Sequence, residues 1–218
     1  MLNVFEALPS LLSGLGLDVR HVLHVGAHLG EEMHYYRQAG IGAFTLVEPH
    51  PRAAERLRET FRDATVIEAA CAAQPGQGTL SVNAIRTSSS LAEPHPDDRI
   101  LSTIPVQVTT VGAIAPDDAD MLVVDAQGLE LDVLKGAGAR LAGFQVVVCE
   151  TCTVPDRTMA APHKDVVNFM ADAGFGVAAL WERSYQEISW YVRGGPGDST
   201  LSDRVYDVVF LPEALCPA

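Results

Sequence analysis

The stretch "HVLHVGAHLGEE" (residues 21–32) decides the fold. A short apolar segment runs into Gly26, Gly30 follows four residues later, and two glutamates come next. Ligands of open parallel sheets bind outside the carboxyl ends of the strands, where glycines let the chain turn tightly. The stretch therefore predicts the first strand of an α/β sheet, with a ligand-binding loop at its end.

Strand-like and helix-like segments alternate on the C-terminal side of this stretch. Helical patterns cover 31–40 and 51–61, and apolar strand-like runs cover 43–49 and 64–72. A β-α-β-α-β order of this kind predicts parallel strands joined by right-handed crossovers.

The rest of the chain continues the pattern less regularly. Further predicted strands cover 78–84, 104–111, 119–128 and 144–152, further helices cover 129–141 and 163–175, and 176–184 with 204–212 form a closing antiparallel pair. We expect a Rossmann-like, doubly wound, mostly parallel α/β sheet with an antiparallel closing strand. We expect one domain over residues 1–218, with a helical segment over 1–20 and the α/β core over 21–218.

Charge and composition point to a small-molecule partner. The chain has 15 basic and 28 acidic residues, a net charge of -13, and 48% hydrophobic residues. Such a surface repels nucleic acid and anionic membranes. The N-terminus lacks the basic start and cleavage site of a signal peptide, so we expect a soluble, cytoplasmic protein. Its apolar helix could cover a sheet edge or a partner subunit, which leaves a homo-oligomer open. Cys149 and Cys152 lie in a strand-like run and are expected to be core residues.

Polar and small residues cluster where the predicted strands end, which packing alone does not explain. They are His24, Gly26 and Gly30 from the first strand, Glu48 from the second, Ala70 and Cys71 from the third, Asp125, Gln127 and Gly128 from the fourth, and Glu150, Thr151 and Cys152 from the fifth.

Glu48 and the glycine loop indicate the class of ligand. A carboxylate at the end of the second strand can accept hydrogen bonds from both ribose hydroxyls, although an acid at a helix start is the alternative. The loop from Gly26 to Gly30 departs from the G-x-G-x-x-G spacing of dinucleotide sites. Glu31 and Glu32 would also repel a pyrophosphate. These features favour S-adenosylmethionine over NAD.

Five motifs in order resemble the FkbM family of class I S-adenosylmethionine-dependent methyltransferases. They are "HVGAHLGEE" (24–32), "VEPHP" (47–51), "TSSSL" (87–91), "VVDAQGLELDVLKGAG" (123–138) and "VVCET" (147–151). The resemblance implies cofactor binding by His24, Gly26, Ala27, Gly30, Glu48, Ala70, Cys71, Asp125 and Gln127. In detail, the glycine loop would contact the methionine half, Glu48 the ribose, and Ala70 and Cys71 the adenine. Asp125 and Gln127 would face the methyl group and the acceptor. Many family members have Asp at the position of His24.

Asp125 is the first candidate for a catalytic base, because a hydroxyl acceptor loses its proton as it is methylated. A role in cofactor binding or helix capping remains the alternative for this residue. Glu150, His28 and His163 are further base candidates. Glu130 is expected to form an ion pair with a basic neighbour. No metal is predicted, because no compact pair of carboxylates is evident in the sequence.

The predicted reaction is O-methylation of a hydroxyl on a sugar or a secondary-metabolite scaffold. The alternatives are N-methylation of a small-molecule amine and a non-catalytic subunit that binds S-adenosylmethionine or acts in assembly. The hydroxyls of Ser88, Ser89 and Ser90 could bind a polar acceptor, but a solvated loop has the same composition. Acceptor specificity is expected in the loops at 84–104, 152–165 and 193–203.

Overall fold

The computed structural model describes residues 4–83, 89–91, 99–152, 161–182 and 205–216. Its α-helices are α1 (Val4–Leu15), α2 (Met33–Gln38), α3 (Pro51–Thr60), α4 (Val111–Ile114), α5 (Glu130–Ala137) and α6 (His163–Asp172), with 3-10 turns at Gly138–Gly143 and Glu213–Leu215. Its strands are β1 (His21–Val25), β2 (Ala43–Val47), β3 (Thr65–Ile67), β4 (Ala70–Cys71), β5 (Gly76–Asn83), β6 (Ile100–Thr109), β7 (Met121–Val124), β8 (Val146–Cys152), β9 (Phe175–Glu182) and β10 (Val205–Pro212).

The main sheet has seven strands in the order β3-β2-β1-β7-β8-β10-β9. The pairs among β3, β2, β1, β7 and β8 are parallel, whereas β10 runs antiparallel to both β8 and β9. Every residue of β1, β7 and β8 is buried, because helices cover both faces of a doubly wound sheet. The predicted mostly parallel sheet with an antiparallel closing strand is confirmed.

Alternate side chains of the central strands enter two separate cores. Leu23 and Val25 of β1 pack with residues of α5 and α6 on one face. Val22 packs with α1, α2 and α3 on the other face, where Leu8 of α1 and Tyr36 of α2 are fully buried. The N-terminal helix thus covers a face of the sheet through its apolar residues.

A second, three-stranded sheet has the order β4-β6-β5. The prediction of one strand over 64–72 is wrong, because that segment divides between the two sheets. Thr65–Ile67 pairs with β2, and Ala70–Cys71 pairs with Val108 and Thr109 of β6. The chain changes partner across Glu68 and Ala69.

Several predictions fall on residues outside the described ranges. Ser88 and the loop at 193–203 are among them, as are parts of the loops at 84–104 and 152–165. Cys149 and Cys152 are buried in β8, as expected. Within the described part of the chain, no helix has the length and apolar character needed to span a membrane.

Candidate functional site

The glycine loop after β1 packs tightly against neighbouring elements. The backbone N–H groups of Gly26 and Ala27 donate to the carbonyl oxygen of Val47 at the end of β2, at 2.9 and 3.1 Å. Gly26 has φ +85°, and a Cβ there would overlap the carbonyl oxygen of Asp125. A Cβ on Gly30 would overlap the ring of Phe61. Both glycines therefore have a packing role that the sequence interpretation missed, and their contact with a cofactor stays a prediction.

Glu48 follows β2 directly, and its carboxylate is buried beside this loop. One oxygen accepts from the backbone N–H of His28 at 2.9 Å and the other from that of His50 at 2.8 Å. Burial raises the pKa of Glu48 to about 7. The N-cap of α3 is His50, whose ring nitrogen accepts from the backbone N–H of Arg52. Glu48 is therefore not the capping residue, and each oxygen has a second lone pair for a hydroxyl donor.

The raised pKa of Glu48 predicts a pH-dependent stability. The folded protein binds this proton more tightly than the unfolded chain between about pH 4.5 and 7, so the free energy of unfolding falls as pH rises through that window. Urea unfolding of the wild type and of Glu48→Gln should show it. We expect the wild type to lose about 2–3 kcal/mol relative to the variant between about pH 5 and pH 8. If the difference in free energy of unfolding between the wild type and Glu48→Gln stays constant with pH, this expectation is contradicted.

His28 occupies a left-handed backbone conformation within the loop, with φ +43°. Its Nδ1 lies 2.8 Å from a carboxylate oxygen of Glu31, and this hydrogen bond raises the pKa of His28. Glu31 also accepts from the backbone N–H of Leu29. His28 thus belongs to the Glu48 side of the site, which weakens its candidacy as a base beside Asp125.

His24 lies in β1 and is buried on the face that α2 covers. Its Nδ1 is 3.1 Å from the hydroxyl oxygen of Tyr36, and the two rings meet edge to face. Burial raises the pKa of Tyr36 well above its usual value, so its hydroxyl stays protonated. The orientation of His24 is therefore set by a tyrosine that sequence reasoning did not single out.

Asp125 and Glu150 lie side by side at the carboxyl ends of β7 and β8. Val124 is in register with Cys149, which places the next residue of each strand at the same edge. The side-chain amide nitrogen of Gln127 donates to Asp125 at 2.6 Å and to Glu150 at 3.0 Å. We call this arrangement the Gln127 bridge. It joins Asp125, which follows β7, to Glu150, which lies near the end of β8.

Glu130 at the start of α5 is fully buried, and it does not form the expected ion pair within the described residues. Its carboxylate instead accepts from the backbone N–H groups of Ala126, Gly128 and Ala161. Burial raises its pKa to about 7. Among the residues that the structure describes, backbone donors of two loops take the place of the predicted basic partner.

Carboxylate oxygens of Asp125, Glu130 and Glu150 lie within 4.8 Å of one another. The premise that no compact pair of carboxylates exists is therefore wrong. Hard divalent cations prefer oxygen ligands of this type. These three residues are the ones in the described ranges that could hold such an ion, and the absence of a metal stays a prediction.

The remaining site candidates lie in β4 and at the start of α6. Ala70 and Cys71 are buried in β4, and burial raises the pKa of Cys71 to about 12. Their contact with an adenine stays a prediction. His163 begins α6, and its Nδ1 is 2.9 Å from the hydroxyl oxygen of Thr151. Of the three further base candidates, Glu150 is the one that the structure brings next to Asp125.

Comparisons with solved structures show the same fold in methyltransferases. A candidate RNA methyltransferase from Pyrococcus horikoshii aligns with a TM-score of 0.55 and 14% identity, over 95% of this chain and 82% of that chain. Sp1610 of Streptococcus pneumoniae, a candidate tRNA (m1A22) methyltransferase in complex with S-adenosyl-L-methionine, aligns with a TM-score of 0.52 and 11% identity, over 95% and 71%. A TehB-like SAM-dependent methyltransferase from Corynebacterium glutamicum gives 0.50 and 12%, over 94% and 87%.

The comparisons by sequence identify one family. No curated protein matches the chain. The model of the methyltransferase FkbM domain matches residues 24–177, which contain the carboxyl end of β1, the Glu48 carboxylate and the Gln127 bridge. The motifs that suggested this family and the strand ends that form the site therefore lie in the matched region. The chain belongs to the FkbM methyltransferase family.

Proposed function

We propose that this protein transfers the methyl group of S-adenosylmethionine to a hydroxyl of a small molecule, a sugar or a secondary-metabolite scaffold. The observation that carries the proposal is the placement of Asp125 at the carboxyl end of β7, bridged to Glu150 and next to the glycine loop. The family is S-adenosylmethionine-dependent, in agreement with the cofactor that the sequence predicts.

The residues around Glu48 fit a ribose-containing cofactor without phosphates. Glu48 places a buried carboxylate beside the glycine loop, and Glu31 adds a negative charge nearby. Acids at this position suit hydroxyl donors and a cationic ligand, and they disfavour a pyrophosphate. When bound, S-adenosylmethionine supplies an electrophilic methyl group. Glu48 would hold its ribose, and the loop from Gly26 to Gly30 would pass close to its methionine half.

Asp125 would accept the proton of the acceptor hydroxyl. The turn at Gly26 packs directly on the Asp125 carbonyl group. The glycine loop, where the cofactor would bind, is therefore next to Asp125. A positioned base contributes roughly 10²–10⁴-fold to a reaction of this kind. Alignment of donor and acceptor and exclusion of water supply the rest of the rate enhancement. Gln127 would keep Asp125 oriented.

The acidic character of the site favours one second candidate, N-methylation of an amine. The carboxylates of Asp125, Glu130 and Glu150 lie together in a chain of net charge -13, and such a site also attracts a cationic acceptor. An amine requires less help from a base, since it can lose its proton to solvent before methylation. The two reactions therefore differ in their dependence on Asp125.

A transfer assay with methyl-labelled S-adenosylmethionine tests the proposal. The acceptors are matched sets of monosaccharides, phenols, aliphatic alcohols and amines, and NMR of the product locates the labelled carbon. Label in an O–CH₃ group is the expected result. Label in an N–CH₃ group would replace the proposal with the second candidate. Cofactor binding with no transfer to any set would favour a non-catalytic subunit.

The Glu48→Ala variant tests the cofactor part of the site. We expect the affinity for S-adenosylmethionine and S-adenosylhomocysteine to fall by about 1–3 kcal/mol, as is typical when hydrogen bonds to a charged group are lost. Calorimetric titration measures the change, with NAD as the competing ligand. Glu55→Ala, at an exposed position of α3, is the matched control and should bind like the wild type. Equal affinities in Glu48→Ala and the wild type would exclude a ribose contact.

A further inference from the structure

The segment Ser89–Leu91 is fixed between the second sheet and the Gln127 bridge. Ser90 exchanges two backbone hydrogen bonds with Ser81 of β5, at 2.8 and 3.2 Å. The Ser89 hydroxyl oxygen accepts from the backbone N–H of Asn83 at 3.3 Å. Leu91 packs over Gly78, where a Cβ would overlap its side chain. Three consecutive residues are thus held by β5.

The Ser90 side chain leaves this sheet and reaches the site. Its hydroxyl donates to the backbone carbonyl oxygen of Gln127 at 2.6 Å, and Ser90 is 9% exposed. This hydrogen bond is partly buried, and it is therefore stronger than one at a fully exposed surface. It connects residues 37 positions apart in the chain.

Gln127 needs such support because its backbone is left-handed, with φ +49°. A residue other than glycine in this region costs on the order of 1–3 kcal/mol and persists only where its surroundings hold it. The conformation directs the side-chain amide toward both Asp125 and Glu150. A relaxed backbone at Gln127 would move the amide away from one of them.

We propose that Ser90 is a positioning residue that, by donating to the Gln127 carbonyl oxygen, holds the left-handed turn from which the Gln127 amide joins Asp125 to Glu150. The effect of this hydrogen bond on catalysis rests on the proposed function. Its effect on the conformation of Gln127 does not. Ser90 acts through Gln127. Its hydroxyl is already engaged with the protein, which speaks against the interpretation of this serine as a direct acceptor ligand.

The first test observes the Gln127 side-chain amide by NMR, with the full chain and without any substrate. In the wild type, its two protons should be resolved and protected from solvent exchange. Ser90→Ala should accelerate that exchange about 5-fold, the change expected for loss of one hydrogen bond of about 1 kcal/mol. Ser90→Thr keeps the hydroxyl and should restore the protection. Ser102→Ala, at an exposed position of β6, is the control and should leave the signals unchanged.

The second test separates this role from a purely structural one. Once an acceptor is known, Ser90→Ala should lower kcat about 5-fold with little change in the KM for S-adenosylmethionine, and Ser90→Thr should recover kcat. Rapid, unprotected exchange of the Gln127 amide in the wild type would overturn the proposal even if Ser90→Ala does not fold. Normal kcat in a folded Ser90→Ala variant would also overturn it. If the wild type does not bind S-adenosylmethionine, the proposed function is contradicted. The NMR experiment needs no substrate, so it still tests the role of Ser90.

Discussion

Replacement of Asp125 by asparagine is expected to lower kcat of methyl transfer about 10²–10⁴-fold. The asparagine oxygen can still accept from the Gln127 amide, so the geometry of the bridge is kept. What the variant loses is the carboxylate that receives the acceptor proton. We therefore expect a large loss in kcat with a small change in the affinity for S-adenosylmethionine. Steady-state kinetics with the labelled methyl donor and calorimetry of cofactor binding measure the two quantities.

The control for this variant is Asp117→Asn, at an exposed position before β7. It removes one negative charge without touching the site, so it should retain the wild-type kcat. Wild-type kcat in Asp125→Asn would show that the acceptor needs no base from this residue, which is the behaviour expected for an amine. A loss of cofactor affinity equal to the loss in kcat would instead assign Asp125 to cofactor binding, the alternative that the sequence leaves open.

Glu130→Ala is expected to reduce the free energy of unfolding by about 3–5 kcal/mol. The side chain is fully buried, and its carboxylate satisfies the backbone N–H groups of Ala126, Gly128 and Ala161. Each buried donor left without a partner costs about 1–3 kcal/mol, and the truncation also leaves a cavity. Burial raises the pKa of Glu130, which shows that the charged form is itself costly, so the loss should be smaller than the three donors would sum to.

Urea unfolding of the variant series measures this effect. Glu130→Gln keeps one acceptor oxygen, so its stability should lie between those of Glu130→Ala and the wild type. Glu59→Ala removes an exposed partner of Arg56 and should change stability by less than about 0.5 kcal/mol. A Glu130→Ala variant as stable as Glu59→Ala would show that water replaces the carboxylate at these donors.

The sequence predicts the parallel strands well, because each is a continuous apolar run bounded by turn residues. β1, β2, β7 and β8 lie within predicted segments, and the alternation with helices determines their parallel direction. The division of 64–72 into β3 and β4 is different. A single charged residue, Glu68, interrupts the apolar run, and Ala70 pairs with β6, more than 30 residues away in the chain.

In the site too, features set by neighbouring residues are predictable from the sequence, whereas contacts between residues far apart in the chain are not. Glu48, Asp125 and Glu150 stand out in the sequence because each directly follows an apolar run of residues. The adjacency of Asp125 and Glu150 follows from the register of β7 with β8, so this pair of acids was within reach of a register argument. The partners of Glu130 and Ser90 could not be predicted in this way. They are backbone groups of Ala161 and Gln127, and a pattern of side chains does not identify a backbone partner.

The position of β10 between β8 and β9 has a consequence for the order of synthesis. As the chain leaves the ribosome, β9 emerges before the strand that must lie between it and the rest of the sheet. The edge of β8 that includes Glu150 stays unpaired until Val205–Pro212 has been translated. A nascent chain therefore carries an open, apolar sheet edge while residues 153–204 are translated, the kind of exposure that chaperones bind. Completion of the sheet beside Glu150 accordingly waits for the synthesis of β10.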